Sequence, residues 1–171
     1  LTLAPAWTGP PPPDRTPIIA ARAGVDLNPQ DPGNPEDLLR LTAYLWPDQP
    51  ERLANTRAAA RIAQSNLAQG DAIDWLAPRL NGAPDGQLHL IQHTVAWQYF
   101  PKAAQARGKA LIEAAGKRAT RNRPLAWLSM EQDGSGLKGA ALTLRLWPGD
   151  ITLPLARVDF HGRWIDWTYT G

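Results

Sequence analysis

The chain has 171 residues, no cysteine and 18 basic against 16 acidic residues, a formal net charge of +2. This length predicts one domain. The absence of cysteine excludes disulfides and thiolate metal sites. So small an excess of basic residues does not favour a nucleic acid as partner. No apolar run approaches the roughly 20 residues of a membrane span, so we expect no membrane partner either.

The chain opens with a Pro-rich leading segment over residues 1–16, and we expect a single α/β domain over residues 17–171. Pro10-Pro-Pro-Pro-Asp is stiff and extended. The chain begins with Leu1 and not Met, and its first residues lack the charged start and apolar centre of a signal peptide. We therefore expect a cytoplasmic protein of which this chain is the C-terminal half.

Residues 18–29 predict a strand that ends in a polar turn, with Asp26 and Asn28 at its carboxyl end. Next, Asn34-Pro-Glu-Asp has the cap, proline and acid that begin a helix, which Pro47 should stop. A second helix should run from Pro50 to Gly70. A short helix over residues 71–80 and a turn over residues 81–86 follow.

The chain is organised around a βαβ unit over residues 86–130. A mostly apolar run from Gly86 predicts a strand buried on both faces. From Pro101 the apolar positions recur three and four apart, as in an amphipathic helix that ends near Gly116. A second apolar run, Pro124-Leu-Ala-Trp-Leu-Ser-Met, predicts a parallel strand joined by a right-handed crossover.

Three antiparallel strands should close the sheet, over residues 140–147, 151–160 and 163–169. Gly134-Ser-Gly-Leu-Lys-Gly139 matches a dinucleotide-binding pattern by its letters. A strand follows it where phosphate binding needs a helix, so we interpret it as a hairpin loop. The predicted fold is α/β: a three-layer mixed sheet with a C-terminal antiparallel hairpin.

Four stretches of the sequence resemble one known family. They are Arg22-Ala-Gly-Val-Asp-Leu-Asn-Pro, Leu45-Trp-Pro-Asp-Gln-Pro-Glu-Arg-Leu, His93-Thr-Val-Ala-Trp-Gln-Tyr-Phe-Pro and Ala156-Arg-Val-Asp-Phe-His-Gly-Arg-Trp. From about Pro17 onward the chain resembles the bacterial family catalogued as domain of unknown function 2332, whose members are longer than this chain. The resemblance implies no reaction. It implies a Rossmann-like plan similar to that of S-adenosylmethionine-dependent methyltransferases, with S-adenosylmethionine as a conceivable cofactor.

Ligands of open α/β sheets bind beyond the carboxyl ends of the strands, where His93 follows the first strand of the βαβ unit. His93 is therefore the candidate catalytic residue, as a general base, and Trp97, Gln98 and Tyr99 are candidate substrate-binding residues. We expect Trp97 to matter more for ligand binding than for folding. The alternative is a structural histidine, hydrogen-bonded at a strand end.

Asp26 and Asn28 are the candidate cofactor-binding residues, because nucleotide-binding α/β proteins place an acid for the ribose hydroxyls at such a strand end. The alternative, which we favour, is a turn whose side chains bind their own backbone. We expect no metal site, since His89 and His93 would lie about 13 Å apart along one strand. Arg157, Asp159, His161 and Arg163 should form cross-strand ion pairs.

Two functions remain open. The first is part of a methyltransferase-like enzyme, and the second is a non-catalytic interaction or ligand-binding module. Because a doubly wound sheet needs helices on both sides, the chain should expose an apolar sheet edge or face where the missing N-terminal half of the protein docks. We therefore also expect homo-oligomers of the chain alone.

Overall fold

A computed structural model describes residues 2–63, 67–81 and 84–171. The described residues divide into two compact units, one of residues 2–3 and Pro17–Trp75 and the other of Ala4–Thr16 and Leu76–Gly171. The division expected from the sequence, a leading segment over residues 1–16 and one domain over residues 17–171, stays a prediction. Leu1, on which the expectation of a longer protein rests, lies outside the described residues.

The described residues form helices and strands in both halves of the chain, and the last four elements are all strands. In order, they are β1 (Ala6–Thr8), β2 (Gly24–Asp26), α1 (Pro35–Ala43), α2 (Pro50–Ile62), β3 (Leu67–Gln69), α3 (Ala72–Arg79), β4 (His89–Thr94), α4 (Lys102–Arg118), β5 (Leu125–Glu131), β6 (Ala140–Trp147), β7 (Ile151–Val158) and β8 (Trp164–Trp167). A short 3₁₀ helix, Trp97–Tyr99, lies between β4 and α4.

The first unit holds α1, α2 and a two-stranded parallel sheet of β2 and β3. The helix start at Asn34 is confirmed, since its side chain accepts a hydrogen bond from the backbone N–H of Glu36 at 2.9 Å. Neither helix has a buried residue. A helix normally owes most of its stability to packing, so the first unit has little core of its own around α1 and α2.

Two predictions for this unit are wrong. The strand from residue 18 is only the three residues of β2, which pairs with β3 and not with the main sheet, and Ile18 is 97% exposed. The second helix ends at Ile62, because Ala63 takes an extended backbone and residues 67–69 pair with β2 instead. Residues 64–66 of that predicted helix, and residues 82–83 of the predicted turn, lie outside the described residues.

The second unit is built on a six-stranded mixed sheet of order β1-β8-β7-β6-β5-β4. The predicted βαβ unit is confirmed: β4 and β5 are parallel, from His89 beside Leu125 to Thr94 beside Met130, and α4 connects them. The predicted meander is confirmed as well, with β5, β6, β7 and β8 antiparallel in turn. The protein is therefore a mixed α/β protein.

One expectation about β4 is wrong. It is the last strand of the sheet, and its residues are alternately half-buried and exposed, so it is not buried on both faces. Leu88 and Leu90 are 54% and 46% exposed. An apolar run cannot distinguish a central strand from an edge strand, because that depends on what pairs with it.

Helix α4 packs on one face of the sheet. Ile112 is fully buried, and Gly116 lies against the ring of Trp147 so closely that a methyl group would not fit. Arg145 of β6 binds Glu113 of α4 at 2.7 Å and Asp150 at 2.6 Å. Gly116 therefore permits close packing and does not end the helix, which continues to Arg118.

The two faces of this sheet differ in charge. The face that contacts α4 carries Glu131, Arg145, Arg157 and Asp166. The opposite face is called the apolar face from here on. The strand register identifies its residues, because paired residues of neighbouring strands lie on the same face. Its residues are Trp7, Leu90, Gln92, Thr94, Ala126, Leu128, Met130, Ala140, Leu142, Leu144, Leu146, Ile151, Leu153, Ala156, Val158, Ile165 and Trp167. None of these side chains is charged.

The Gly-rich stretch over residues 134–139 connects the antiparallel strands β5 and β6, so its interpretation as a hairpin loop is confirmed. Arg157 of β7 holds this loop through Asp133 at 2.7 Å and the carbonyls of Leu137, Lys138 and Gly139. Within the described residues, no helix is long and apolar enough to cross a membrane.

Candidate functional site

Four side chains form one cluster, called the His93 cluster: His93 near the end of β4, Trp97 of the 3₁₀ helix, and Trp127 and Glu131 of β5. The ring of His93 stacks on Trp97 at 5.0 Å and lies 5.9 Å from the ring of Trp127. Trp97 and Trp127 are 5.3 Å apart. Because parallel strands end at the same edge of a sheet, β4 supplies His93 where β5 supplies Glu131.

The carboxylate of Glu131 is the centre of the His93 cluster. Its Oε1 accepts hydrogen bonds from His93 Nδ1 at 2.7 Å and from the backbone N–H groups of Ala96 and Trp97, each at 3.0 Å. Its Oε2 accepts one from the N–H of Gln98 at 3.3 Å. Consecutive N–H groups that converge in this way form an anion site, and here the chain's own carboxylate fills it.

These hydrogen bonds set the charge of Glu131. Burial by itself raises the pKa of this carboxyl, but the hydrogen bonds from Ala96, His93, Trp97 and Gln98 outweigh burial, so the pKa of Glu131 is lowered. Each of them favours the ionised form. Glu131 is therefore an anion at neutral pH.

The segment after β4 is bent sharply to reach this carboxylate. Val95 has a φ of +50°, which is rare for a β-branched residue, and its N–H donates to the carbonyl of Met130 at 2.8 Å. Its conformation directs the next three N–H groups towards Glu131. The strain is offset by the four hydrogen bonds that the carboxylate accepts.

The partners of His93 specify its protonation. Trp127 Nε1 can only donate, and it donates to His93 Nε2 at 2.8 Å, so Nε2 carries no proton. The ionised Glu131 can only accept, so Nδ1 carries the proton. His93 is thus a neutral imidazole with both nitrogens bound inside the protein. In this arrangement its Nε2 lone pair is not free to remove a proton from a ligand.

The candidate substrate-binding residues lie around the His93 cluster. Trp97 is half-buried between His93 and Phe100, whose ring is 5.6 Å away. The side-chain oxygen of Gln98 accepts a hydrogen bond from the N–H of Gln132 at 3.0 Å. Tyr99 is 73% exposed. Of these three, Tyr99 therefore presents the most of its side chain to a ligand.

The candidate cofactor-binding residues lie in the other unit. Asp26 ends β2, and its Oδ1 accepts a hydrogen bond from the N–H of Asn28 at 2.8 Å, which is the self-bonded turn that we favoured from the sequence. Both residues are exposed. Asp26 and His93 belong to different sheets, so the strand-end rule does not bring them together.

The three histidines are dispersed. His89 and His93 are at opposite ends of β4, and His161 is exposed in the turn between β7 and β8. In the described parts of the chain, no three residues of the types His, Cys, Asp and Glu are grouped as metal ligands.

The charged residues of the last hairpin pair differently from the cross-strand prediction. Arg163 binds Asp159 within one turn at 3.1 Å, while Arg157 binds Asp133 in the β5–β6 loop.

Sequence reasoning missed Glu131. It follows directly on the apolar run of β5 and lies at the carboxyl end of the strand that pairs with β4. Applying the strand-end rule to both strands of the βαβ unit, instead of to β4 alone, would have found it.

Comparison with known proteins identifies a family to which the chain is similar. No curated protein and no solved structure matches the chain. A sequence model described as an uncharacterized protein conserved in bacteria, DUF2332, matches residues 1–167. This match covers nearly the whole chain and confirms the resemblance inferred from the four sequence stretches. The chain therefore belongs to the DUF2332 family of uncharacterised bacterial proteins.

Proposed function

We propose that this chain is a non-catalytic interaction module that pairs with a second copy of itself through the apolar face. The observation that carries this proposal is the lack of charge on that face. Leu128, Met130, Leu142 and Leu144 near its centre are partly exposed and pack against a buried cluster that includes Ala156 and Val158. Ile151 at one corner is 50% exposed. Large apolar surfaces on proteins usually mark interaction sites.

We favour a second copy of the chain as the occupant. In a two-fold dimer, the same surface of both copies forms the interface. A face with net charge would meet its own charge across such an interface. An uncharged face is compatible with itself in any register. The α4 side of the sheet, where Arg145 is already bound to Glu113, is less suited to pairing with a second copy.

The area of the apolar face predicts a weak dimer. Six strands spaced about 4.8 Å apart and about 20 Å long would bury on the order of 1,000 Å² when two copies pack face to face. This is near the lower limit for a specific protein–protein interface. We therefore expect association in the micromolar range.

The His93 cluster favours a non-catalytic role. His93 uses both ring nitrogens within the protein, and Glu131 accepts four hydrogen bonds there. The methyltransferase-like alternative has less support, because only β1 with β8 and β4 with β5 are parallel pairs in the main sheet. Asp26, its candidate ribose ligand, binds its own turn.

The proposal can be tested with two neighbouring positions of β7. Leu153 lies on the apolar face, and Thr152 points to the opposite face beside Arg145. In sedimentation velocity between about 1 and 100 µM, we expect the unchanged chain to shift from monomer to dimer. Leu153→Glu should remain monomeric, and Thr152→Glu should dimerise like the unchanged chain.

A second variant covers the case in which Leu153→Glu does not fold. Ile151→Glu changes a half-exposed corner of the same face and should weaken the dimer at least tenfold. A chain that stays monomeric at 100 µM would overturn the proposal, as would equal weakening by Thr152→Glu. If a longer form of the protein were monomeric while this chain dimerised, the face would belong to the additional segment, and the proposal would also fail.

A further inference from the structure

A second site lies at the other end of the βαβ unit, near the start of β4. A cavity of about 230 Å³ opens there, lined by Leu80, Asn81, His89, Ala115, Arg118, Ala119, Arg123, Pro124 and Leu125. All of these residues belong to the second unit. The volume is about that of seven or eight liquid waters, so the cavity suits a small organic molecule and not a nucleotide.

The lining of this cavity has two chemically distinct parts. Its floor is formed by Leu80, Ala115 and Leu125, which are buried and expose only a small apolar surface to the cavity. Its rim carries two guanidinium groups, those of Arg118 and Arg123, with the imidazole of His89. A complementary ligand therefore has an apolar body and an anionic group at one end.

The two arginines are held in place but keep donors for a ligand. Arg118 donates to the carbonyl of Ala114 and to Asn81 Oδ1, both at 2.9 Å, and Arg123 Nε binds Asp85 Oδ1 at 2.9 Å. A guanidinium has five N–H donors. Counting only the described contacts, three remain on Arg118 and four on Arg123. Guanidinium groups bind carboxylates and phosphates with two parallel hydrogen bonds.

His89 complements this pair. Burial lowers the pKa of His89, so its imidazole is neutral at neutral pH and offers one donor and one acceptor. The carboxylate of Asp85 is the one acidic group bound to these arginines among the described contacts, and it is 69% exposed at the edge. The rim therefore has a net positive charge.

We propose that this cavity binds a small organic oxyanion, a carboxylate or a phosphate monoester, with its apolar body on Leu80, Ala115 and Leu125 and its charge on Arg118 and Arg123. This site would add the binding of a small ligand to the proposed role as an interaction module. It does not depend on dimer formation, because every lining residue comes from one chain.

Calorimetric titration of the full chain tests this with four probes. Benzoate and phenyl phosphate share an aromatic body and carry the two alternative oxyanions. Benzyl alcohol keeps the body without the charge, and inorganic phosphate keeps the charge without the body. We expect at least one of the two aromatic anions to bind with a dissociation constant of about 1 mM or tighter, and benzyl alcohol and inorganic phosphate to bind at least tenfold more weakly.

Variants of the two arginines test whether these residues bind the anion. Arg123→Gln and Arg118→Gln should each weaken binding of the aromatic anion about tenfold or more. Arg121→Gln is the matched control, since it removes the same charge from an exposed position in the same turn that does not line the cavity. If Arg118→Gln lowers the melting temperature through its bond to Asn81, Arg123→Gln still tests the site.

The proposal is overturned if neither aromatic anion binds, or if Arg121→Gln weakens binding as much as Arg123→Gln. Equal binding of inorganic phosphate and phenyl phosphate would overturn the role of the apolar floor. A difference between benzoate and phenyl phosphate would identify which oxyanion the site prefers.

Discussion

At the scale of single residues, we expect one carboxylate, that of Glu131, to contribute to the stability of the second unit. Glu131 connects β5 to three consecutive N–H groups and to His93, and its side chain is only 15% exposed. In Glu131→Gln the amide keeps one acceptor but brings two donors against those N–H groups. We expect the free energy of unfolding at pH 7 to fall by about 2 kcal/mol, measured by urea titration.

The same carboxylate predicts a pH dependence. The pKa of Glu131 is lowered in the folded protein, so its contribution is complete above its unfolded pKa of about 4.3 and is lost as the pH falls through the folded pKa. The stability difference between the unchanged chain and Glu131→Gln should therefore shrink in acid. Asp166→Asn, at an exposed carboxylate, is the control. A difference that stays constant from pH 7 to pH 3 would contradict this role.

The tautomer of His93 is a second prediction at this scale. With Trp127 donating to Nε2 and Glu131 accepting from Nδ1, the proton should reside on Nδ1. In nitrogen-15 NMR, the Nδ1 shift should be that of a protonated pyrrole-type nitrogen and the Nε2 shift that of an acceptor. The reverse pattern would mean that Nε2 donates, and the argument for a non-catalytic His93 would fail.

At the scale of elements, α4 packs on the sheet at a position where only glycine fits. A Cβ at Gly116 would lie 2.6 Å from Nε1 of Trp147, and Trp147 is 4% exposed. Alanine normally stabilises a helix by about 1 kcal/mol relative to glycine. Here we expect Gly116→Ala to destabilise the protein by about 1–3 kcal/mol, because overpacking outweighs propensity.

Thermal and urea unfolding of Gly116→Ala measure this effect. Lys117→Ala, at the exposed neighbouring position of α4, should change stability by less than about 0.5 kcal/mol. If Gly116→Ala proved more stable than the unchanged chain, the close packing of α4 on Trp147 would be disproved.

The β5–β6 loop is a second case at this scale. Hydrogen bonds from Ser135 and from Arg157 lower the pKa of Asp133 to about 2, so it remains charged at neutral pH. Lys138 in this loop also lies 4.4 Å from the ring of Trp164. We expect Arg157→Gln to release the loop and to speed trypsin cleavage after Lys138 severalfold, with Arg121→Gln as control. Unchanged cleavage would show that the loop is ordered without Arg157.

The sequence predicted the elements that are marked by neighbouring residues, such as a helix cap or a change of hydrophobic period. Asn34 and Pro35 marked the start of α1, and the change of period at Pro101 separated β4 from α4. Three features depended on pairing and were not predictable in this way: β4 is an edge strand, β3 interrupts an expected helix, and β2 joins a separate sheet. His93 was found by the strand-end rule, whereas Glu131 needed the register of β4 on β5.

At the scale of the whole molecule, the proposed function rests on the surface of the main sheet more than on the His93 cluster. Both α1 and α2 lack buried residues, and the main sheet has one charged and one uncharged face. The sequence led us to expect an exposed apolar sheet edge or face from the α/β plan alone. The strand register specifies which side chains form the uncharged face, and this could not be inferred before the strands were paired. That a partner docks on this face stays a prediction.

The most direct test of the central claim is methyl NMR of the unchanged chain at increasing concentration. We expect the methyl signals of Leu128, Leu142, Leu144 and Leu153 on the apolar face to shift together with micromolar association. Intermolecular contacts should appear among these methyl groups, while the signal of Ile112, on the buried side of α4, should remain constant. Signals that do not change up to the highest soluble concentration, or that shift only outside the apolar face, would contradict the proposed dimer.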